Sequence, residues 1–220
     1  MLGTQIDLAE ALNATRTGDI WLFRGRTLAD RAIQVSTNSP VNHVGMAVVL
    51  DDLPPLMWHA ELSGSREDLW SGTHQRGAQL HDLREVADVW THRYHQRAWM
   101  RQLDAVVDRG MEDALLRTIA RLDGTPFPST TRMALRWLGG RVPRFGRAVT
   151  SEDPEMAYCA EIVAITYEEM GLLAAGGRAS GYDPGRFWSG DDLDLLGGAK
   201  LGKEISIQVP EAPSAGPSLK

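Results

Sequence analysis

The stretch His43-Val44-Gly45-Met46-Ala47-Val48-Val49-Leu50 is a continuous apolar run with one polar residue at its head. Such runs are typical of a central strand, buried on both faces of a sheet. A turn over residues 51–55 follows it, and residues 56–62 return as a neighbouring strand. We therefore predict a pair of strands at the centre of the fold, with His43 at the start of the first.

Further elements are predicted on both sides of this pair. Strand-forming runs bounded by turn residues predict a strand at 20–23, edge strands at 78–83 and 98–103, and a last strand at 205–209. Helical spacing of apolar residues predicts helices within 1–12, 28–35, 111–122 and 131–138, and from Cys159 to Gly171. Gly171 is the predicted C-cap of that last helix. The pattern as a whole predicts an α+β fold.

Composition limits the class of protein. With 220 residues, 43% of them hydrophobic, the chain builds one core, so we predict a single domain over 1–209 and a disordered tail over 210–220. The net charge of −6 argues against a nucleic-acid partner. One cysteine excludes an internal disulfide framework. The absence of a signal peptide pattern and of a membrane-spanning run predicts a cytoplasmic protein without a transmembrane segment.

The one cysteine lies in Tyr158-Cys159-Ala160-Glu161-Ile162-Val163, just before a run that is predicted to be helical. At a helix N-terminus the backbone dipole and unpaired N–H groups favour thiolate over thiol. This position predicts a nucleophile. The alternative is that Cys159 is a small buried hydrophobic residue.

A cysteine nucleophile needs a base that shares its proton and a polar group that orients the base. His43 is the predicted base. His59 and Glu61 are two residues apart and point to the same face of the neighbouring strand, so either is a candidate for the third role. The backbone N–H of Cys159, unpaired at a helix start, is a candidate oxyanion donor.

Other chemistries have weaker support. A metal site is not predicted, although four further histidines are available: His74, His81, His92 and His95. Of these, His92 and His95 have a spacing that fits one helical face. No serine nucleophile motif or phosphate-binding glycine loop is present, and no cofactor is predicted. An arginine-rich stretch over 132–147 is either a solvated surface or a site for an anionic headgroup.

Several segments resemble the circularly permuted branch of the papain-like NlpC/P60 superfamily, near the YiiX-like proteins. The matching stretches are 18–23, 39–46, 77–80 with Leu83, 158–163, 170–173 and 182–184. The resemblance covers roughly residues 17–209, and its most specific point is the order of histidine before cysteine. It implies an antiparallel sheet or half-barrel packed on the helix that carries the cysteine.

By this resemblance Cys159 is the nucleophile, His43 the base and His59 the third residue, in a position where the family often has glutamate. Glu61 remains the alternative. The resemblance also implies that Asp19 has a structural role in the turn before the first strand, and that Tyr158 lines the oxyanion or substrate site.

The resulting expectation is a cysteine-dependent hydrolase or acyltransferase. It would act on an amide or ester of a small-molecule, lipid or peptide substrate through an acyl-thioester intermediate. The alternative expectation is a non-catalytic module that binds a lipid or acyl ligand with the same cleft and the arginine-rich stretch 132–147.

Overall fold

A computed structural model of the chain describes residues 4–25, 40–126, 154–175, 181–191 and 193–210. The described strands are β1 (Gln5–Asp7), β2 (Ile20–Arg24), β3 (His43–Val48), β4 (Leu56–Glu61), β5 (Gly77–Asp82), β6 (Arg97–Arg101) and β7 (Ile205–Gln208). The described α-helices are α1 (Leu8–Ala14), α2 (Leu83–Asp88), α3 (Arg109–Leu122) and α4 (Pro154–Glu169). A π-helical turn over Val89–Arg93 continues α2, and short 3₁₀ helices follow α4 at Pro184–Phe187, Ser189–Asp191 and Leu196–Gly198.

The strands form one sheet in the order β1-β7-β6-β2-β3-β4-β5. β3 pairs with β2 on one side and β4 on the other, so its predicted central position is confirmed. All pairings in this sheet are antiparallel except that of β1 with β7, which is parallel. The described sheet is therefore mixed, whereas a wholly antiparallel one was predicted.

Three of the helices are preceded by an aspartate at the N-cap position. Asp7 accepts a hydrogen bond from the backbone N–H of Glu10 at 2.7 Å, Asp82 from that of Glu85 at 3.0 Å, and Asp108 from that of Met111 at 2.9 Å. The first N–H groups of a helix have no partner within the helix, and a carboxylate at the N-cap satisfies one of them. These side chains therefore determine where α1, α2 and α3 begin.

Each face of the sheet has its own core. The helix-side core lies between the sheet and α4 and includes Ile20, Leu22, Val44, Met46, Trp58, Cys159, Ile162 and Val163. The second core lies on the other face, with α1 and α2, and includes Trp21, Phe23, Ala47, Met57, Leu83 and Trp90. Successive residues of a strand point to opposite faces, which explains why neighbours such as Met57 and Trp58 belong to different cores.

Polar contacts tie α4 to the sheet within the helix-side core. The indole nitrogen of Trp58 donates to the hydroxyl of Thr166 at 3.1 Å, and the hydroxyl of Tyr167 donates to the carbonyl of Gly18 at 2.5 Å. α4 ends at Glu169, and Gly171 has a φ of 74°, which confirms the predicted C-cap. Burial and these bonds together hold α4 against β3 and β4.

The prediction of β6 was wrong in one respect. The strand was expected at a sheet edge, but Ile20 of β2 pairs with Arg101 on one side, and Ile207 of β7 pairs with Ala98 on the other. The partner on the second side comes from a segment far along the chain, which local periodicity cannot indicate. β5, in contrast, lies at an edge of the described sheet, as predicted.

The predicted helices at 28–35 and 131–138 lie outside the described residues, as does the predicted tail beyond residue 210. Within the part of the chain that the structure describes, no helix has both the length and the apolar character to cross a lipid bilayer.

Candidate functional site

Three histidines on three adjacent strands form a chain of hydrogen bonds. His43 Nε2 lies 3.3 Å from His59 Nδ1, and His59 Nε2 lies 2.8 Å from His81 Nδ1. His43 begins β3, His59 lies in β4 and His81 in β5. His59 therefore uses both ring nitrogens, one towards each neighbour.

The strands explain why these rings meet. His59 and Met57 share a face of β4, because they are two residues apart, and Met57 pairs with His81 of β5. Cross-strand neighbours on one face lie within reach of long and aromatic side chains, including diagonal ones. The antiparallel register of β4 and β5 therefore places the rings of His59 and His81 side by side.

All three imidazoles are buried and held neutral. Their exposed fractions are 4% for His43, 0% for His59 and 1% for His81. Burial lowers the pKa of His43 to about 3 and that of His81 to about 4, and the charge of Arg66 acts in the same direction at both. Burial also holds the pKa of His59 well below its ordinary value, with smaller contributions from the two other histidines and Arg66. Loss of water around a ring disfavours its charged form.

Trp90, from the π-helical turn, packs against two of these rings. Its ring centre lies 4.2 Å from that of His43 and 5.5 Å from that of His59, in edge-to-face arrangements. Phe23 contacts Trp90 at 4.6 Å and lies across the β2–β3 pairing from His43. The histidine rings thus pack with side chains of the second core.

Glu61 is engaged elsewhere. Its Oε2 accepts a short hydrogen bond from Arg66, and both side chains of this ion pair are buried. Burial raises the pKa of the Glu61 carboxyl, and the guanidinium of Arg66 opposes that rise. Of the two candidates for the third residue, His59 is therefore the one bonded to His43.

The structure corrects the predicted position of Cys159. It is the sixth residue of α4, which begins at Pro154, and not the first of a helix. The backbone dipole acts mainly in the first turn, and an N–H beyond that turn bonds within the helix. The expectations of a dipole-activated thiol and of an oxyanion donor at the Cys159 N–H were therefore wrong. The side chain is fully buried and packs in the helix-side core, whereas the histidine rings pack with the second core on the other face of the sheet. The structure therefore brings His43 and His59 together but places Cys159 across the sheet from them.

Two further residues were given roles by the resemblance. The hydroxyl of Tyr158 donates to the carbonyl of Thr125 at 3.2 Å, and the side chain is 4% exposed. Asp19 accepts hydrogen bonds from the backbone N–H groups of Arg16 and Leu103, both at 2.8 Å. Asp19 thus joins the turn before β2 to the segment after β6, which agrees with the structural role expected for it.

A group of potential metal ligands overlaps the histidine chain. His59, Glu61 and His81 each offer one ligand atom, and these atoms lie within 4.8 Å of one another. Neutral imidazoles and a carboxylate are ligands that suit a transition metal such as zinc. Both nitrogens of His59 are already bonded, however, and the positive charge of Arg66 lies beside Glu61. A cation here would have to displace one of these contacts.

The other histidines do not join this group. His74 lies near the carbonyl of Gly64 at 3.3 Å, and His92 near that of Asp88 at 3.1 Å. The helical turn that contains His92 ends at Arg93, so His92 and His95 do not share a helical face. The arginine-rich stretch 132–147 lies outside the described residues.

Sequence reasoning missed the roles of His81, Trp90 and Arg66. The signal for His81 was present, since Gln79 and His81 alternate with apolar residues in β5 as His59 and Glu61 do in β4. Two such strands side by side point to one polar strip on a shared face. No comparable signal marked Trp90 or Arg66, because each reaches the strip from a segment outside the strands.

Comparisons with known proteins find similarity only among solved structures. No family model matches this chain, and no curated protein matches it. The chain is similar to a solved structure described as the metalloprotein YiiX from Escherichia coli O157:H7, DUF1105, with 18% sequence identity and a TM-score of 0.45. That alignment covers 73% of this chain and 69% of the other.

Proposed function

We propose that this protein is a cysteine-dependent hydrolase or acyltransferase, with a permuted papain-like arrangement of Cys159 as nucleophile, His43 as base and His59 as the residue that orients the base. The observation that carries the proposal is the hydrogen bond between His43 Nε2 and His59 Nδ1, at 3.3 Å. A catalytic imidazole needs one nitrogen held by a polar partner so that the other is directed at the nucleophile. Because His59 holds Nε2, Nδ1 is the nitrogen of His43 to which this proposal assigns the thiol proton.

His43 is neutral at neutral pH, as a general base must be before it takes a proton. Burial lowers its pKa to about 3, which makes it a weaker base than an exposed histidine in this unliganded form. The expected thiolate–imidazolium pair is disfavoured in such surroundings. The thiol proton would therefore move to Nδ1 as the sulfur attacks, and not before.

The reaction follows from these roles. The sulfur of Cys159 forms a bond to the carbonyl carbon of an amide or ester while its proton passes to His43 Nδ1. That proton then passes to the leaving amine or alcohol, and an acyl-thioester remains. Water, activated by His43, releases the acid, or an amine or alcohol takes the acyl group, and the thiol is restored. Cys159 packs in the helix-side core and the ring of His43 packs with the second core on the other face of the sheet. This chemistry therefore requires a rearrangement that brings Cys159 Sγ within hydrogen-bond reach of His43 Nδ1.

Access to the thiol is a second requirement. Cys159 has no exposed surface, so a substrate can reach the sulfur only when the covering residues move. Movements of this kind are common in enzymes that exclude water from an acyl intermediate. Turnover should therefore depend on this opening as well as on the histidines.

The test is acylation by p-nitrophenyl esters with short and long acyl chains, followed by mass spectrometry of the intact protein. We expect one acyl group on Cys159, none in Cys159→Ser, and acylation slower by about a hundredfold or more in His43→Gln. His74→Gln, which changes an exposed histidine outside the histidine chain, is the matched control and should leave the rate unchanged. Acylation at another residue, or an equal rate in His43→Gln, would contradict the proposal.

A further inference from the structure

Two arginines lie directly opposite each other where β2 ends and β6 begins. Arg24 is the last residue of β2 and Arg97 the first of β6, and the two are partners in the antiparallel register. Cross-strand partners point to the same face of a sheet, with their Cβ atoms about 5 Å apart. Like charges in such positions repel each other, so this pair costs stability unless an anion lies between the two side chains.

The pair lies on the helix-side face of the sheet. Leu22 belongs to the helix-side core, and Arg24, two residues further along β2, points to the same face. Trp99 stands in the same relation to Arg97 in β6, and it packs against that core. Both arginines are therefore on the face opposite to the histidine rings, and they form no part of the site described above.

Neither arginine has a carboxylate partner among the described residues. The ion pairs of the described chain all involve other arginines, namely Arg66 with Glu61, Arg101 with Glu204 and Arg121 with Glu169. Arg24 is partly buried, and its Nε is buried without a hydrogen-bond partner in the described chain. Burial lowers the pKa of Arg24, and the charge of Arg97 acts in the same direction. A buried donor without an acceptor is costly, and an anion would satisfy it.

Aromatic side chains border the arginine pair. The guanidinium of Arg24 lies over the ring of Trp99, at 6.0 Å from its centroid, and Trp99 packs edge-to-face against Trp188 with 5.5 Å between ring centres. Both tryptophans are partly exposed. The cation–π contact orients the guanidinium, and the exposed parts of the two rings offer apolar surface beside the charge.

We propose that Arg24, Arg97 and Trp99 form a binding site for a ligand that carries an anionic group beside an aromatic or apolar one. The two guanidinium groups would donate to the oxygens of a carboxylate or phosphate, since a planar guanidinium pairs with either group through two parallel N–H donors. The apolar part of the ligand would lie against Trp99. The site uses neither Cys159 nor the histidines, so this inference does not rest on the proposed function.

The experiment is titration of the protein with four probes, followed by NMR of the tryptophan indole N–H groups. 1-Naphthyl phosphate and 1-naphthoate carry both parts of the ligand with different anionic groups, while 1-naphthol lacks the charge and inorganic phosphate lacks the ring. We expect at least one of the anionic naphthyl probes to bind about tenfold or more tightly than 1-naphthol and phosphate, and to shift the signals of Trp99 and Trp188. The tighter of the two identifies the anionic group.

Variants separate a specific site from general attraction between charges. Arg24→Gln and Arg97→Gln should each weaken binding of the anionic naphthyl probe by about tenfold or more, because each removes a charged donor. Arg93→Gln is the matched control, since Arg93 is exposed and lies over Tyr94 at 5.7 Å from the ring centroid. It loses the same charge and the same kind of contact elsewhere, and it should leave the affinity unchanged.

Four results would overturn the proposal. The first three are absence of binding by both anionic naphthyl probes at millimolar concentration, equal affinity for 1-naphthol, and the same loss of affinity in Arg93→Gln as in the other two variants. The fourth is a set of shifts confined to the exposed Trp70, which lies outside this site. Arg97 is exposed, so Arg97→Gln tests the site even if Arg24→Gln does not fold.

Discussion

His43 differs from an ordinary histidine because of what surrounds it in the fold. Its pKa of about 3 comes first from burial and then from the charge of Arg66. Neither cause can be read from the residues next to His43 in the sequence. A thiolate–imidazolium pair was expected from the residue types, whereas a neutral base fits the buried position.

Arg66 and Glu61 form a charged pair beside the histidines. Variants can separate the cost of leaving one buried charge unpaired from the effect of removing both charges. Arg66→Gln should lower the free energy of unfolding by about 3 kcal/mol, because it leaves the Glu61 carboxylate buried without its partner. The double variant Glu61→Gln with Arg66→Gln should recover most of this loss, since no charge then remains to be compensated. Urea denaturation of the parent, both single variants and the double variant provides the measurement. If the double variant is as unstable as Arg66→Gln, the loss of stability does not come from an unpaired Glu61 carboxylate.

At the level of elements, the sequence predicted what is locally encoded. β2, β3, β4 and β5 were placed to within one or two residues, because each is an apolar run between turn residues. The start of α4 before Cys159 was missed, although Asp153-Pro154 is a typical helix start, with an N-cap residue before a proline at the first helical position. The contact of His59 with His81 depends on the register of β4 and β5, which a two-residue shift would change. Long-range pairing, such as that of β7 with β6, has no local signal.

The π-helical turn leads to a specific prediction, because its Trp90 packs against the rings of His43 and His59. Trp90→Leu should raise the pKa of His43, since a smaller side chain admits water to the rings and weakens the desolvation that lowers it. It should also lower the free energy of unfolding by about 2 kcal/mol.

The matched control for Trp90 is Trp99→Leu in β6. Trp99 packs against Trp188, with 5.5 Å between ring centres, and not against the histidines. This variant loses the same atoms, so it should lower stability without changing the His43 titration. Side-chain NMR titration of the histidines distinguishes the two variants, and a His43 pKa that is unchanged in Trp90→Leu would show that the indole does not provide the desolvation.

For the whole molecule, the histidine chain makes stability depend on pH. His43, His59 and His81 have lowered pKa values in the folded state, so the unfolded chain binds more protons than the folded one once the pH falls below 6.5, the ordinary histidine value. Their contribution to stability is complete above that pH and is lost as the pH falls towards their folded values. Buried Asp19 and Glu61 and half-buried Asp123, whose pKa values are raised, act in the opposite sense, because they release protons on unfolding.

The difference between variants isolates one histidine from these opposing groups. Between pH 6.5 and the folded pKa of His81, about 4, its loss in His81→Asn should reduce the slope of unfolding free energy against pH by about 1.4 kcal/mol per pH unit at most. The sign is a shallower loss of stability on acidification, because one proton fewer is taken up on unfolding. Urea denaturation over this pH range measures both slopes, and His74→Gln, which changes an exposed histidine, should leave the slope of the parent unchanged. Equal slopes for the parent and His81→Asn would mean that the fold does not hold His81 neutral. Only His43 and His59 would then remain as neutral buried imidazoles.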